Sequence, residues 1–281
     1  MSHLLFLDGQ FYRDDKAIAG AHSRALRYGD GLFETMICVQ GRIPLEELHY
    51  ERLFQGMHLL GFDTGSVVQP AYFREKIRQL LHRNGQEHAA RIRLMVMRGD
   101  GAPFDIHHQY PHHLVQTEPL PAAHLHWQEN GYELGFHHLA RKSMDALANC
   151  KSNNYLPSLL AGREAKQQKW NDAILLNNAG RVCETSIANV FFLREGQWHT
   201  PALTEGPVAG TLRRYIIEKL SASGETVLER PVETTELLNA EEIFVCNAVY
   251  GIRSVQKIGE KIYSQQATRK LYDALIAPLL S

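Results

Sequence analysis

The chain has no charge of one sign to spare: 30 lysines and arginines against 31 aspartates and glutamates leave a formal net charge of −1. A protein that neutralises many phosphates carries a basic excess, so nucleic acid is not an expected partner. No apolar run approaches the roughly 20 residues that span a bilayer, so no membrane contact is expected. The opening Met1-Ser-His-Leu-Leu-Phe-Leu-Asp8 lacks a basic stretch and a long apolar one, so no secretory signal is expected. Cysteine is scarce. Cys38, Cys150, Cys183 and Cys246 are widely spaced and form no CxxC pair, which suits reduced thiols in a cytoplasm rather than a disulfide framework. Internal repeats and low-complexity tracts are also missing. Histidine is plentiful at 15, with doublets at His107-His108, His112-His113 and His137-His138. None has the spacing of a zinc motif, and no metal is expected.

What remains is an ordinary globular composition, 44% hydrophobic and 22% charged over 281 residues, enough for one large domain or two modest ones. Strand patterns open the chain at Leu4 to Leu7 and Gln10 to Tyr12, around an Asp8-Gly9 turn. Gly31 to Gln40 is β-rich; Pro44 to about Leu60 and Ala71 to Asn84 have helical periodicity; Arg91 to Met97 alternates as a strand. Pro103 to Pro121, rich in Pro and His and poor in periodicity, reads as a linker or an active-site loop. Beyond it come a strand at Tyr132 to Leu139, a helix begun by Pro157, and strands at Ala173 to Leu176, from Val182, and at Asn189 to Leu193. A helix follows Gly210 and a buried strand covers Glu242 to Cys246. The expected class is α+β, with a mainly antiparallel second half. The expected domains are 1–115 and 122–281.

Few residues carry chemistry on their own. Lys151, in Asn149-Cys-Lys-Ser-Asn-Asn-Tyr155, reads alone as a surface lysine. Glu184 follows 33 residues later among apolar neighbours on an expected strand, where a buried carboxylate needs a partner. A protonated ring nitrogen is one such partner; a salt bridge or an edge position is the plainer alternative. Gly206-Pro-Val-Ala-Gly210-Thr-Leu-Arg-Arg214 is a Gly-bearing loop entering a helix, where free N–H groups favour a phosphate, although ordinary caps look alike. Arg52, in His49-Tyr-Glu-Arg-Leu53, could grip the same phosphate through two N–H groups or simply face solvent.

Their order and spacing resemble the class IV pyridoxal-phosphate (PLP) enzymes over nearly the whole chain. The matching strings are Tyr28-Gly-Asp-Gly-Leu-Phe-Glu34, His49-x-x-Arg52-Leu53, Lys151, Glu184-x-x-x-x-Asn189-Val-Phe, Gly210-x-x-Arg213 and Glu242-x-Phe-x-Cys-Asn247-Ala248. The resemblance implies a two-domain fold, a smaller N-terminal α/β sandwich and a larger C-terminal pseudo-barrel that binds pyridoxal 5′-phosphate, in a homodimer. It implies that Lys151 forms the Schiff base and is the catalytic residue, that Glu184 partners the ring nitrogen, and that Arg52 binds phosphate. Thr211 and Leu212 would add backbone N–H groups, with Asn247 and Ala248 closing that pocket. Tyr155 would reach the phenolic oxygen, one residue nearer the lysine than in branched-chain enzymes.

Within the family, Arg98-Gly99-Asp-Gly101 and Cys246-Asn247-Ala248 with Gly251-Ile252 resemble 4-amino-4-deoxychorismate lyase, which makes 4-aminobenzoate and pyruvate for folate synthesis. The carboxylate clamp of D-amino-acid transaminases is missing after Pro103. Tyr28, Phe33 and Arg93 resemble the substrate pocket of branched-chain aminotransferases, which would use 2-oxoglutarate; with Arg98 they are the expected substrate contacts. A ligand-binding protein of this fold without turnover is the third reading, and intact Lys151, Glu184 and Arg52 argue against it.

Overall fold

A computed structural model describes residues 3–280, and the chain divides into two compact units. The first comprises residues 1–121 together with Cys150–Asn154; the second comprises Ala122–Asn149 and 155–281. The expected boundaries therefore shift. The first unit runs on to Pro121, and the five residues around Lys151 return to it from the middle of the later sequence.

The first unit is a five-stranded antiparallel sheet in the order β2-β1-β5-β4-β3. Its strands are β1 (Leu4–Leu7), β2 (Gln10–Arg13), β3 (Gly31–Val39), β4 (Ala89–Met97) and β5 (His112–Pro119). A short helix α1 (Arg24–Tyr28) precedes β3, and α2 (Glu46–Leu59) and α3 (Pro70–Arg83) follow it. Leu32, Met36 and Cys38 on alternate positions of β3 pack with Tyr50, Leu53 and Met57 of α2 and with Phe73, Ile77 and Leu80 of α3. The period of two on the strand and of three to four on the helices meet in one core.

Pro103 to Pro121 is not a linker. His112–Pro119 is a strand inside the sheet, paired with β4 over its whole length and with β1 at Leu114 and Val115. Its alternation is hidden because His113, Leu114 and Val115 are all buried, as happens where a strand is covered on both faces. His113 points inward and shares a hydrogen bond of 2.8 Å with the Tyr72 hydroxyl. Only the stretch before it is loop, with Phe104 93% exposed.

The second unit holds a curled mixed sheet in the order β11-β10-β9-β12-β13-β6-β7-β8. These strands are β6 (Tyr132–Lys142), β7 (Asp172–Asn177), β8 (Val182–Thr185), β9 (Asn189–Arg194), β10 (Gln197–Pro201), β11 (Val227–Arg230), β12 (Glu242–Asn247) and β13 (Gly251–Ile258). Antiparallel ladders prevail as expected, but β6 joins β7 and β13 in parallel, and β10 joins β11 in parallel. The curl brings the edge strand β8 back towards the far end of the sheet, where the Val182 N–H donates to the Val232 carbonyl at 2.9 Å. Helices α4 (Leu156–Gln168) and α5 (Thr211–Ala222) flank the sheet. All four cysteines are free thiols, three of them buried. Among the described residues no helix is long and apolar enough to cross a membrane, and no three metal-ligating side chains are grouped.

Candidate functional site

In the first unit the expected site residues gather at the sheet edge. Strand β3 is the outermost strand, and the segment carrying Lys151 pairs along it: the Phe33 N–H donates to the Lys151 carbonyl at 2.9 Å and the Asn153 N–H to the Gly31 carbonyl at 2.9 Å. Close approach requires glycine here. A Cβ on Gly31 would lie 2.7 Å from the Val96 carbonyl oxygen and 2.7 Å from the Asn153 amide. Gly29, at φ +68°, ends α1 in the left-handed conformation, and a Cβ there would meet Asn154. The pairing sets Lys151 Nζ 4.6 Å from the centre of the Phe33 ring, while the Arg93 guanidinium lies 4.2 Å from the same ring. Two cations thus share one aromatic side chain. Tyr28 is exposed nearby in sequence, at the end of α1.

Glu34, the next residue on β3, points the other way, into the α2 side. Its carboxylate takes the Arg52 Nε at 2.8 Å and Nη2 at 2.5 Å, and the His49 ring nitrogen at 2.6 Å. Burial raises its pKa, but the charges and hydrogen bonds of Arg52 and His49 outweigh that and bring it down to about 2. Burial lowers the His49 pKa, assisted by the charges of Arg52 and Lys151, against the pull of Glu34. Arg52 is thus held by a two-point contact that fixes the plane of its guanidinium.

Arg98 does not fit its expected role as a substrate contact. Its side chain is 4% exposed, its donors go to Asp30 and to the Leu60 and Gln109 carbonyls, and its guanidinium stacks 4.1 Å from the Phe62 ring. It locks the end of β4 to the loop after α2.

In the second unit a separate group of expected cofactor contacts gathers around the loop of residues 206–210. The Val208 N–H donates to Glu184 Oε2 at 2.9 Å, and the Val208 carbonyl accepts from the Asn189 side chain at 2.9 Å. Asn149 ties the same loop through Pro207 and Ala209. Gly210 must be glycine, since a Cβ would lie 1.9 Å from Asn189 Oδ1. The loop delivers Thr211 and Leu212 to the first two positions of α5, behind the N-cap Gly210, which has no side chain to offer. Backbone N–H groups there present the positive end of a twelve-residue helix.

Glu184 is 6% exposed, and its other oxygen pairs with Lys142 Nζ at 2.7 Å. The salt-bridged alternative is therefore realised, with a partner the sequence did not suggest. Tyr155 precedes α4 and its hydroxyl donates to the Ser186 carbonyl at 2.9 Å. Burial and the Glu184 charge push the phenol up to about 12, so it is a neutral donor near neutral pH. Asn247 shapes a turn: Oδ1 accepts from the Val249 and Tyr250 N–H groups at 2.9 and 3.1 Å, and Nδ2 donates to the Ile187 carbonyl at 3.2 Å. Its side chain is spent on folding this turn, which presents the backbone of Asn247 and Ala248.

Residues 31–258 match the model of the family described as amino-transferase class IV. The chain belongs to that family. Class IV enzymes work through pyridoxal 5′-phosphate, the cofactor implied by the motifs, and on small-molecule substrates. Similarity to individual members falls on both sides of the lyase–aminotransferase divide. The chain is 29% identical to aminodeoxychorismate lyase from Vibrio harveyi, over 84% of this chain and 85% of that one. It is 27% identical to a putative branched-chain-amino-acid aminotransferase from Methanocaldococcus jannaschii, over 95% and 93% of the two chains. The branched-chain aminotransferase of Thermoproteus uzoniensis superposes with a TM-score of 0.90 at 23% identity, covering 100% of this chain and 95% of that one, which shows the shared fold.

For a class IV enzyme of this kind, three residues escaped the sequence reading. Glu34 and His49 stood within the quoted motifs, but only the contacts of Glu34 with Arg52 and with His49 reveal a task for them. Lys142 lies in no motif at all, and nothing in its neighbours marks it.

Proposed function

We propose that the protein is a 4-amino-4-deoxychorismate lyase that converts its substrate to 4-aminobenzoate and pyruvate. The observation that carries this reading is the turn after β12. Cys246-Asn247-Ala248, the string that resembles the lyases, is a built element, with both ends of the Asn247 amide engaged. The similarity to the Vibrio harveyi lyase supports it.

The donor set suits pyridoxal phosphate. Lys151 offers a primary amine for the cofactor carbonyl. Glu184 is a carboxylate with acceptor capacity beyond the bonds from Lys142 and Val208, available to the ring nitrogen. The backbone N–H groups at the start of α5, at Thr211 and Leu212, and Arg52 held in plane by Glu34, are suited to a phosphate. The neutral Tyr155 hydroxyl would reach the phenolic oxygen by turning its one proton away from the Ser186 carbonyl. When bound, the cofactor supplies an electron sink for the charge left on the substrate by proton removal. Lys151 Nζ takes that proton from the substrate ring. The C–O bond to the enolpyruvyl group then breaks with its electron pair on oxygen, the ring becomes aromatic, and a proton delivered to the departing enolpyruvate completes pyruvate. Phe33 and Arg93 orient the substrate beside Lys151 through an apolar ring and a fixed cation.

The placement of Arg93 and Lys151 on one ring also favours a second reading, a branched-chain type aminotransferase that seats an amino-acid carboxylate on Arg93. One assay separates the two. The lyase forms 4-aminobenzoate and pyruvate in equal amounts from aminodeoxychorismate with no 2-oxo acid added. Efficient transamination between leucine or glutamate and a 2-oxo acid, with no 4-aminobenzoate formed, would reverse the assignment.

A further inference from the structure

Lys142 ends β6, the eleven-residue strand of the second unit. The register between β6 and β7 shifts between His137 and Lys142, and the register between β7 and β8 shifts at Leu175 and Leu176, beside the position paired with Glu184. Such irregularities re-aim side chains. Here they leave Lys142 Nζ 2.7 Å from Glu184 Oε1, with the two side chains 15% and 6% exposed. Burial works against the ammonium, but the charge and hydrogen bond of Glu184 outweigh it and raise the lysine above its usual range, so Lys142 is a cation at working pH. The Val208 N–H fixes the other oxygen, so the carboxylate is held at both atoms.

We propose that Lys142 is a positioning residue for the cofactor ring: it orients the Glu184 carboxylate and competes with the ring nitrogen for it, setting how firmly the ring keeps its proton. This rests on the reading of Glu184 as the ring-nitrogen partner. A cation on the far side of that carboxylate weakens its hold on a second positive charge and repels that charge directly. A purely structural ion pair would hold β6 to β8 and leave the titration of the ring untouched.

The test uses holoenzyme loaded with pyridoxal phosphate labelled with nitrogen-15 in the ring, whose resonance is followed against pH. Lys142→Met and Lys142→Gln are expected to raise the midpoint of ring-nitrogen deprotonation by about one pH unit or more, the scale of a charge at close range. Lys142→Arg is expected to keep the wild-type midpoint, and Glu184→Gln to lower it. A midpoint unchanged or lowered in the neutral variants, with Glu184→Gln still lowering it, would overturn the inference and leave the Glu184 reading intact. A midpoint unmoved by Glu184→Gln would overturn both. Circular dichroism checks the fold of each variant; if neither neutral variant folds, the pair is structural and the inference fails.

Discussion

Glu34 is 1% exposed and keeps its charge, because Arg52 and His49 close around it. A carboxylate with a folded pKa near 2 against 4.5 in a free chain contributes stability that is complete above 4.5 and lost as the pH falls towards 2. A displacement of this size corresponds to about 3 kcal/mol. Wild-type protein is therefore expected to lose that increment between those limits in urea titrations run at successive pH values. Glu34→Gln is expected to be less stable at neutral pH, because a neutral amide gives up the charge-assisted bonds to Arg52 and His49, and to show a flatter decline through the acid window. Parallel pH profiles for the two proteins would refute this role. The same residue explains a limit on sequence reading: Arg52 was visible through its motif, but whether it faces solvent or is held depends on a carboxylate 18 positions earlier. Lys142 and Glu184 are farther apart still, on strands that become neighbours only through β7.

At the scale of elements, the chain wrote some of its structure plainly and hid the rest where burial overrode period. The helices at Glu46–Leu59 and Pro70–Arg83 and the strands on either side were legible from spacing. Strand β5 was not, because its paired histidines and the prolines in and around it imitate a loop and its two covered faces erase the alternation. The return of Cys150–Asn154 to the first unit was equally hidden, since a short segment pairing on a distant strand has no local signature. That pairing makes Gly31 a test of the element. In Gly31→Ala the new methyl meets the Val96 carbonyl of β4, which cannot swing aside, and the Asn153 amide of the Lys151 segment, so β3 must shift against both neighbours. Overpacking of this kind costs about 1–3 kcal/mol. A lower melting temperature and a weaker visible band of bound cofactor are expected together; an alanine variant that loads and melts like wild type would show that the segment has room to spare.

Across the whole molecule, the family match runs from β3 to the end of β13, so the proposed constellation draws on nearly the full length of the chain rather than on one local motif. Lys151 and Arg52 belong to the first unit; Glu184, Tyr155 and the α5 start belong to the second. The fold and the cofactor class were legible because their strings recur in fixed order. Lyase against aminotransferase was less so, because that choice depends on a few side chains around one ring. Of the lysines beside aromatic or acidic partners, Lys151 lies against Phe33 and Lys142 against Glu184, and Lys151 is proposed as the cofactor's anchor. Borohydride reduction of the holoenzyme followed by peptide mapping of every lysine decides it. A single pyridoxyl label is expected, on the peptide containing Lys151. A label on Lys142 or any other lysine, or none after full cofactor loading, would contradict it.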